Sequence, residues 1–223
     1  MKKSIIILII MAIMLIKLSI GQDNSISIGV LGGQNYSTMR GTPFFDEFHE
    51  SKTGFLGGLY ISYNFGNFLN FRTELLYELK GSSSAIYQLN DIDGYPMGTY
   101  GGDFHYEYIS VPMLFNPIYG NNLKVFANIG PYFSYLYRQE DVASSIVISK
   151  IPPIYPAKLF DIGLISGLGF LIPLNQNVSI SIEGRNSLGL IDIGDIPERY
   201  DHGAIKNNSF GVIGSLLYTF GKN

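Results

Sequence analysis

The stretch FRTELLYELKG at residues 71–81 has two unlike faces. Phe71, Thr73, Leu75, Tyr77 and Leu79 take one set of alternate positions, and Arg72, Glu74, Leu76, Glu78 and Lys80 take the other. Successive side chains of a strand point to opposite faces. One face is therefore oily, and the other carries four charges. The fold turns on which face meets water, and on whether the oily face meets a protein core or lipid.

The same period recurs along the chain. From 55 to 65, Phe55, Leu59, Ile61, Tyr63 and Phe65 alternate with Leu56, Gly58, Tyr60, Ser62 and Asn64. From 123 to 137, Leu123, Val125, Ile129, Phe133 and Tyr135 alternate with Lys124, Asn128, Gly130 and Ser134. From 178 to 188, Val178, Ile180 and Ile182 alternate with Ser179, Ser181, Glu183 and Arg185. Period-2 runs of this length predict strands. Eight are expected, at 25–36, 53–65, 69–80, 104–116, 123–138, 158–172, 178–190 and 208–220. The links at 66–68, 117–122 and 173–177 are short. Those at 37–52, 81–103, 139–157 and 191–207 are long and rich in Gly, Pro, Ser and Asp. In an up-and-down sheet, all short turns then lie at one end and all long loops at the other. Outer-membrane barrels have this layout. Closing the sheet removes edges that would be costly in lipid. The expected fold is all-β, a closed antiparallel transmembrane barrel of eight strands.

Alternation alone fits two inside-out relatives, a soluble lipid carrier with an oily lumen and a membrane barrel with an oily exterior. Three features choose the second. The runs reach or exceed the 9–11 residues that a membrane strand needs. Their polar faces hold mostly Ser, Gly, Asn and Tyr, whereas a face in bulk water carries more Lys and Glu. Aromatic residues gather near strand ends. Tyr63, Phe65, Phe68, Phe115, Phe170, Tyr218 and Phe220 lie near the turns, and Tyr77, Tyr135, Tyr137, Phe160 and Phe210 near the loops. Two such girdles mark two interfaces.

Six charges lie on polar faces away from the expected strand ends: Arg72, Glu74, Lys124, Asp161, Glu183 and Arg185. Facing lipid near the midplane, each Arg or Lys would cost about 2–4 kcal/mol. Three would consume most of a stability of about 5–15 kcal/mol. Facing inward, three positive and three negative groups can pair. They are expected to fill the lumen, since eight strands leave room for little but side chains. A charged ring around a narrow passive channel is the alternative.

Composition excludes other classes. The chain has 223 residues, no Cys, 15% charged residues and a net charge of −3. No thiolate metal site, disulfide or Cys nucleophile is available. The basic residues are scattered, so no nucleic-acid footprint forms. No cofactor or resident metal is expected. At the N-terminus, Lys2 and Lys3 precede an apolar run from Ile5 to Ile16, and Ser19-Ile20-Gly21 offers a small-x-small site before Gln22. That pattern is read as a secretory signal peptide over 1–21, with a barrel domain over 22–223.

The histidines lie beside acids in or next to long loops: His49 near Asp46 and Glu47, His105 near Asp103, and His202 near Asp201. A rim hydrolase or surface metal site is one reading, and solvated loop residues the other. No H-x-x-x-H or other spaced motif supports the first. Between residues 81 and 105, Tyr87, Tyr95, Tyr100 and Phe104 stand among Gly and Asp. Aromatic, adaptable loops suit binding. A loop folded over the barrel mouth is the other reading of these four.

The series FRTELLYELKG (71–81), YISVPML (108–114), GPYFSYLY (130–137), FDIGLISGLGF (160–170), RNSLGLIDI (185–193) and NNSFGVIGSLLYTF (207–220) resembles the PorT-like outer-membrane β-barrel family of Gram-negative bacteria. The chain departs from it at Ser110, where that family often has an acid, and at Asn116, near which it often has Lys. The resemblance implies an integral outer-membrane protein with a link to a secretion or envelope apparatus. The expected protein is thus a non-enzymatic barrel in contact with outer-membrane lipid. Its external loops or periplasmic turns would meet a protein partner.

Overall fold

A computed structural model describes residues 25–41, 49–66, 68–143, 157–195 and 203–220. For 49, 84–87, 89, 97–102 and 141–143 it describes the backbone alone. The expected signal peptide lies outside these residues, as does His202.

Eight antiparallel strands close on themselves: β1 (Ser25–Arg40), β2 (His49–Phe65), β3 (Leu69–Asn90), β4 (Pro96–Gly120), β5 (Lys124–Ala143), β6 (Phe160–Pro173), β7 (Val178–Gly189) and β8 (Lys206–Phe220). Each strand pairs with its sequence neighbours, and β8 returns to β1. Paired positions followed around the barrel from Ser27 come back to β1 at Ser37, a stagger of ten residues. Such a stagger tilts the strands by roughly 35–45°.

The polarity is inside out. Among the described residues, more than twice as many large hydrophobic side chains are exposed as buried. They form a continuous outer belt that includes Ile28, Leu59, Leu75, Ile129, Leu168 and Ile182. A water-soluble monomer exposes at most a few hundred Å² of contiguous apolar surface. The belt therefore faces lipid. Ring pairs stand at both margins. Tyr63–Phe65 and Tyr218–Phe220, each with centroids 4.8 Å apart, mark the turn end. Phe55–Tyr77 at 5.8 Å and Tyr135–Phe160 at 5.7 Å mark the loop end. The charged face of 71–81 points into the barrel, where Arg72, Glu74, Glu78 and Lys80 are all buried.

Strand ends differ from expectation on the loop side. The link expected at 81–103 is mostly strand: β3 runs to Asn90 and β4 begins at Pro96. Among the described residues, β2 pairs with β3 only as far as Ser84, and β5 with β4 only as far as Gly102. Beyond those rungs the two strands continue as a ribbon. Its turn is closed by Asp91, whose Oδ1 accepts from the Asp93 and Tyr95 N–H groups at 2.9 and 2.8 Å. Gly94 takes φ of 87° in that turn, which a residue with a Cβ adopts reluctantly. Gly- and Ser-rich composition suggested a loop, but the Tyr87–Tyr100 and Gln88–Thr99 pairings keep the strands together.

Candidate functional site: the filled lumen and its rim

The lumen is stacked in layers. At mid-height Arg185 bridges two glutamates. Its Nη1 and Nη2 donate to Glu74 Oε2 and Oε1 at 2.7 and 2.8 Å, and its Nε donates to Glu183 Oε1 at 2.8 Å. Arg72 lies 2.7 Å from Glu74 and 3.6 Å from Glu183. Its Nε meets Glu74 off the N–H direction, as an ion pair without an aligned hydrogen bond. The guanidinium carbon sits 4.1 Å from the Tyr60 ring centroid, a cation–π contact. Two positive and two negative groups thus neutralise one another. Space for them comes from Gly167, where a Cβ would press on Glu183 Oε1.

The next layer outward centres on Lys80. Its Nζ lies 3.1 Å from Glu78 and 3.8 Å from Asp161, and 4.5 Å from the Tyr132 ring centroid. Tyr132 Oη and Asn207 Nδ2 each donate to Asp161 Oδ2 at 3.0 Å. Ser110 Oγ donates to Glu78 at 2.8 Å and touches Ser134 Oγ at 2.6 Å. The Tyr132 ring lies where a Cβ on Gly163 would be.

The outermost layer is apolar: Met39, Tyr106, Tyr108, Leu136, Ile193 and Ile205. Ile193 and Ile205 come from the described parts of the link between β7 and β8, at 190–195 and 203–205, which fold over the mouth. There Ile193 N–H donates to the Ile205 carbonyl at 2.8 Å. Asp192 pins the link by accepting from the Gly194 and Ile205 N–H groups and pairing with Lys158 at 2.8 Å. Burial pushes the Asp192 carboxyl up. Lys158 and the two N–H groups outweigh that and hold it below the ordinary aspartate value.

Towards the turns the lumen changes character. Ser25, Asn64, Asn70, Ser181, Ser215 and Thr219 are half-buried. They are joined by neutral hydrogen bonds, such as Asn64 Nδ2 to Ser25 and Ser27 Oγ at 2.8 and 3.0 Å.

Of the six charges singled out from sequence, Arg72, Glu74, Glu183 and Arg185 meet. Asp161 belongs instead to the Lys80 layer. Lys124 is a correction: it stands half-buried at the turn end of β5, opposite Leu171, and takes no part in the ion pairs just described. Glu78 and Lys80 are the missed members. Their inward position was plain in the alternation, but the expected strand end at 80 set them at the margin. β3 continues ten residues further, so they lie inside.

On the rim, Lys52 Nζ bonds to Asp103 at 2.9 Å and contacts His105 Nε2. Ser83 Oγ donates to Asp103 at 2.6 Å. That bond and Lys52 hold the Asp103 carboxyl below its ordinary value. His49 joins the backbone rung at Ser84, and its side chain lies outside the described set. Among the described residues no cluster of His and acids could hold a metal. Of the four loop aromatics, Tyr95 is 71% exposed. Tyr87 and Tyr100 are backbone partners on the ribbon. Phe104 follows the second reading of this set: it packs against the apolar mouth layer rather than standing out as binding surface.

Comparison with known proteins follows this geometry. The family model described as outer membrane protein beta-barrel domain matches residues 20–195. No curated protein matches the chain. Solved structures with similar topology include the outer membrane protein OprG of Pseudomonas aeruginosa, at 11% identity and TM-score 0.47, covering 88% of this chain and 95% of that one. The attachment invasion locus protein Ail of Yersinia pestis, solved with the heparin analogue sucrose octasulfate, is 14% identical at TM-score 0.44, covering 89% and 100%. Neisserial surface protein A is 12% identical at TM-score 0.44, covering 86% and 96%. At these identities the likeness is one of fold.

Proposed function

The chain belongs to the outer membrane protein β-barrel domain family, and from that premise we propose that it is a non-conducting, non-enzymatic anchor displaying the β3–β4 ribbon outside the cell. The carrying observation is the contrast between a lumen closed by three buried layers and a hairpin that continues past the described ends of β2 and β5. The barrel contributes rigidity, and Ile92 and Tyr95 at the tip contribute exposed apolar and aromatic surface. A protein partner fits that surface, because aromatic anchors supply contact area with little side-chain entropy to lose. A place in a secretion or envelope assembly, implied by the PorT-like resemblance, would use this ribbon or the periplasmic turns.

In planar bilayers the protein should show no steady openings, and nanosiemens-scale steps would overturn the closed lumen. A photo-crosslinker at Tyr95 in intact cells should yield a discrete adduct. Removing residues 85–101 should abolish partner association while heat-modifiable gel mobility persists. An unchanged association after that deletion would contradict the assignment. Conversely, a hydrolytic activity lost on alanine substitution at His49, His105 and His202 would replace it with a rim enzyme.

A further inference from the structure

Five cations stand above the loop-end ring girdle among the described residues: Arg40, Lys52, Arg138, Lys158 and Lys206. Three have carboxylates of their own. Lys52 pairs with Asp103 at 2.9 Å, Lys158 with Asp192 at 2.8 Å, and Arg138 with Glu107 and Glu140. Arg40 and Lys206 have none among the described residues. Yet they are direct partners across the β1–β8 seam, and like charges placed opposite one another repel. Arg40 Nη2 donates to the Gly189 carbonyl at 2.9 Å. That bond draws the guanidinium towards β7 across β8, the strand that carries Lys206.

The surface beneath this pair is ordered by chemistry. On the same outward face, the next rung towards the membrane is Thr38 with Asn208, and the one after it is Tyr36 with Phe210. Asn186 Nδ2 donates to Asn208 Oδ1 at 3.2 Å and extends the neutral rung onto β7. Rings, then neutral hydrogen-bonding groups, then cations follow one another outward. A phosphorylated glycolipid presents acyl chains, sugar and phosphate in the same sequence. Arg40 is four residues from Tyr36, roughly 13 Å along the strand at about 3.3 Å per residue. Long basic stems bend back towards headgroups from such positions.

We propose that Arg40 and Lys206, with Thr38 and Asn208 below them, form a binding site for the phosphate of a phosphorylated glycolipid in the outer leaflet. The site sits on the lipid-facing wall, apart from the ribbon and the lumen. Charge-assisted hydrogen bonds from a guanidinium and an ammonium hold the phosphate.

The test uses the full barrel in non-ionic detergent, with bis-phosphorylated lipid A as probe and native mass spectrometry as readout. The doubly substituted Arg40→Gln/Lys206→Gln protein should bind roughly ten- to a hundredfold more weakly. The Arg138→Gln protein, altered at a cation with its own carboxylates, should bind like the parent. Lys206→Gln alone removes a side chain with no described partner, so it keeps the fold and should still weaken binding. Dephosphorylated lipid A should bind parent and variants alike and weakly. Equal binding of bis-phosphorylated lipid A by the parent, the double variant and Lys206→Gln overturns the site. So does equally tight binding of the dephosphorylated lipid. Inorganic phosphate competing at the glycolipid's own concentration would identify a soluble anion instead, and overturns the lipid assignment.

Discussion

The two halves of the lumen are lined by the same eight strands with different chemistry. From mid-height to the loops, charges are sealed from water and paired: Arg185 and Arg72 with Glu74 and Glu183, Lys80 with Glu78 and Asp161. Near the turns, Ser25, Asn64, Ser181, Ser215 and Thr219 are half-buried and linked by neutral hydrogen bonds, with Ser27 and Asn116 buried beside them. The difference follows from access to water. A buried polar group needs a protein partner, whereas one that reaches solvent can trade a lost partner for water. The sealed half therefore carries the energetic risk, and the open half tolerates change.

The largest expected effect comes from breaking the sealed half. Glu74→Ala leaves Arg72 and Arg185 with one carboxylate between them. Removing one partner from a buried pair costs about 3–5 kcal/mol, to be read in urea unfolding from lipid vesicles. Loss under about 1 kcal/mol would mean that water already reaches the cluster. Next comes the outer wall. Leu168→Arg puts a charge on the lipid face and should cost about 2–4 kcal/mol. Arginine in place of inward-facing Ser181 should cost far less, and equal costs would erase the distinction between lumen and lipid face. Asn64→Ala removes bonds to Ser25, Ser27 and Ser62 in the open half. It should cost no more than the roughly 0.5–1.5 kcal/mol of an ordinary hydrogen bond. Arg138→Ala, at an exposed rim pair, should move stability by about 0–1 kcal/mol.

A local effect of pH sharpens the same contrast at the mouth. The Asp192 carboxyl is held below its ordinary value of 3.8, so its contribution is complete above that value. It is lost as pH falls through the lower, folded-state value. Hydrogen exchange over residues 190–205 should therefore quicken on acidification below pH 3.8, ahead of any barrel opening, and Asp192→Asn should remove the step. Exchange that is flat in pH, or lost together with the barrel, would mean that Asp192 does not pin the link.

Much of this was legible in the sequence because a strand's period is two. Once Arg72 and Glu74 point one way, Leu75 and Tyr77 must point the other, and the cost of charge in lipid decides which way is out. The quartet of Arg72, Glu74, Glu183 and Arg185 follows from that rule. The Lys80 layer did not follow, because Gly81 and three serines after it read as a loop. The pairing that carries β3 to Asn90 is made with β4 across the Asp91 turn, and the residues of 81–90 taken alone do not show it. For Phe104 the sequence left two readings open, and the ring follows the second: it packs against the apolar layer at the mouth. The closure of the mouth by Ile193 and Ile205 was hidden too, since the link between β7 and β8 has no period to read.

Site-directed spin labelling tests the inside-out closed barrel most directly, because the chain has no cysteine of its own. With the protein in vesicles, labels at Leu75, Leu168 and Ile182 should be relaxed by oxygen dissolved in the bilayer and shielded from a water-soluble nickel complex. Labels at Ser181 and Ser215 should show the opposite. Nickel access at the three wall positions, with oxygen access at the two serines, would contradict the closed barrel and its polarity together.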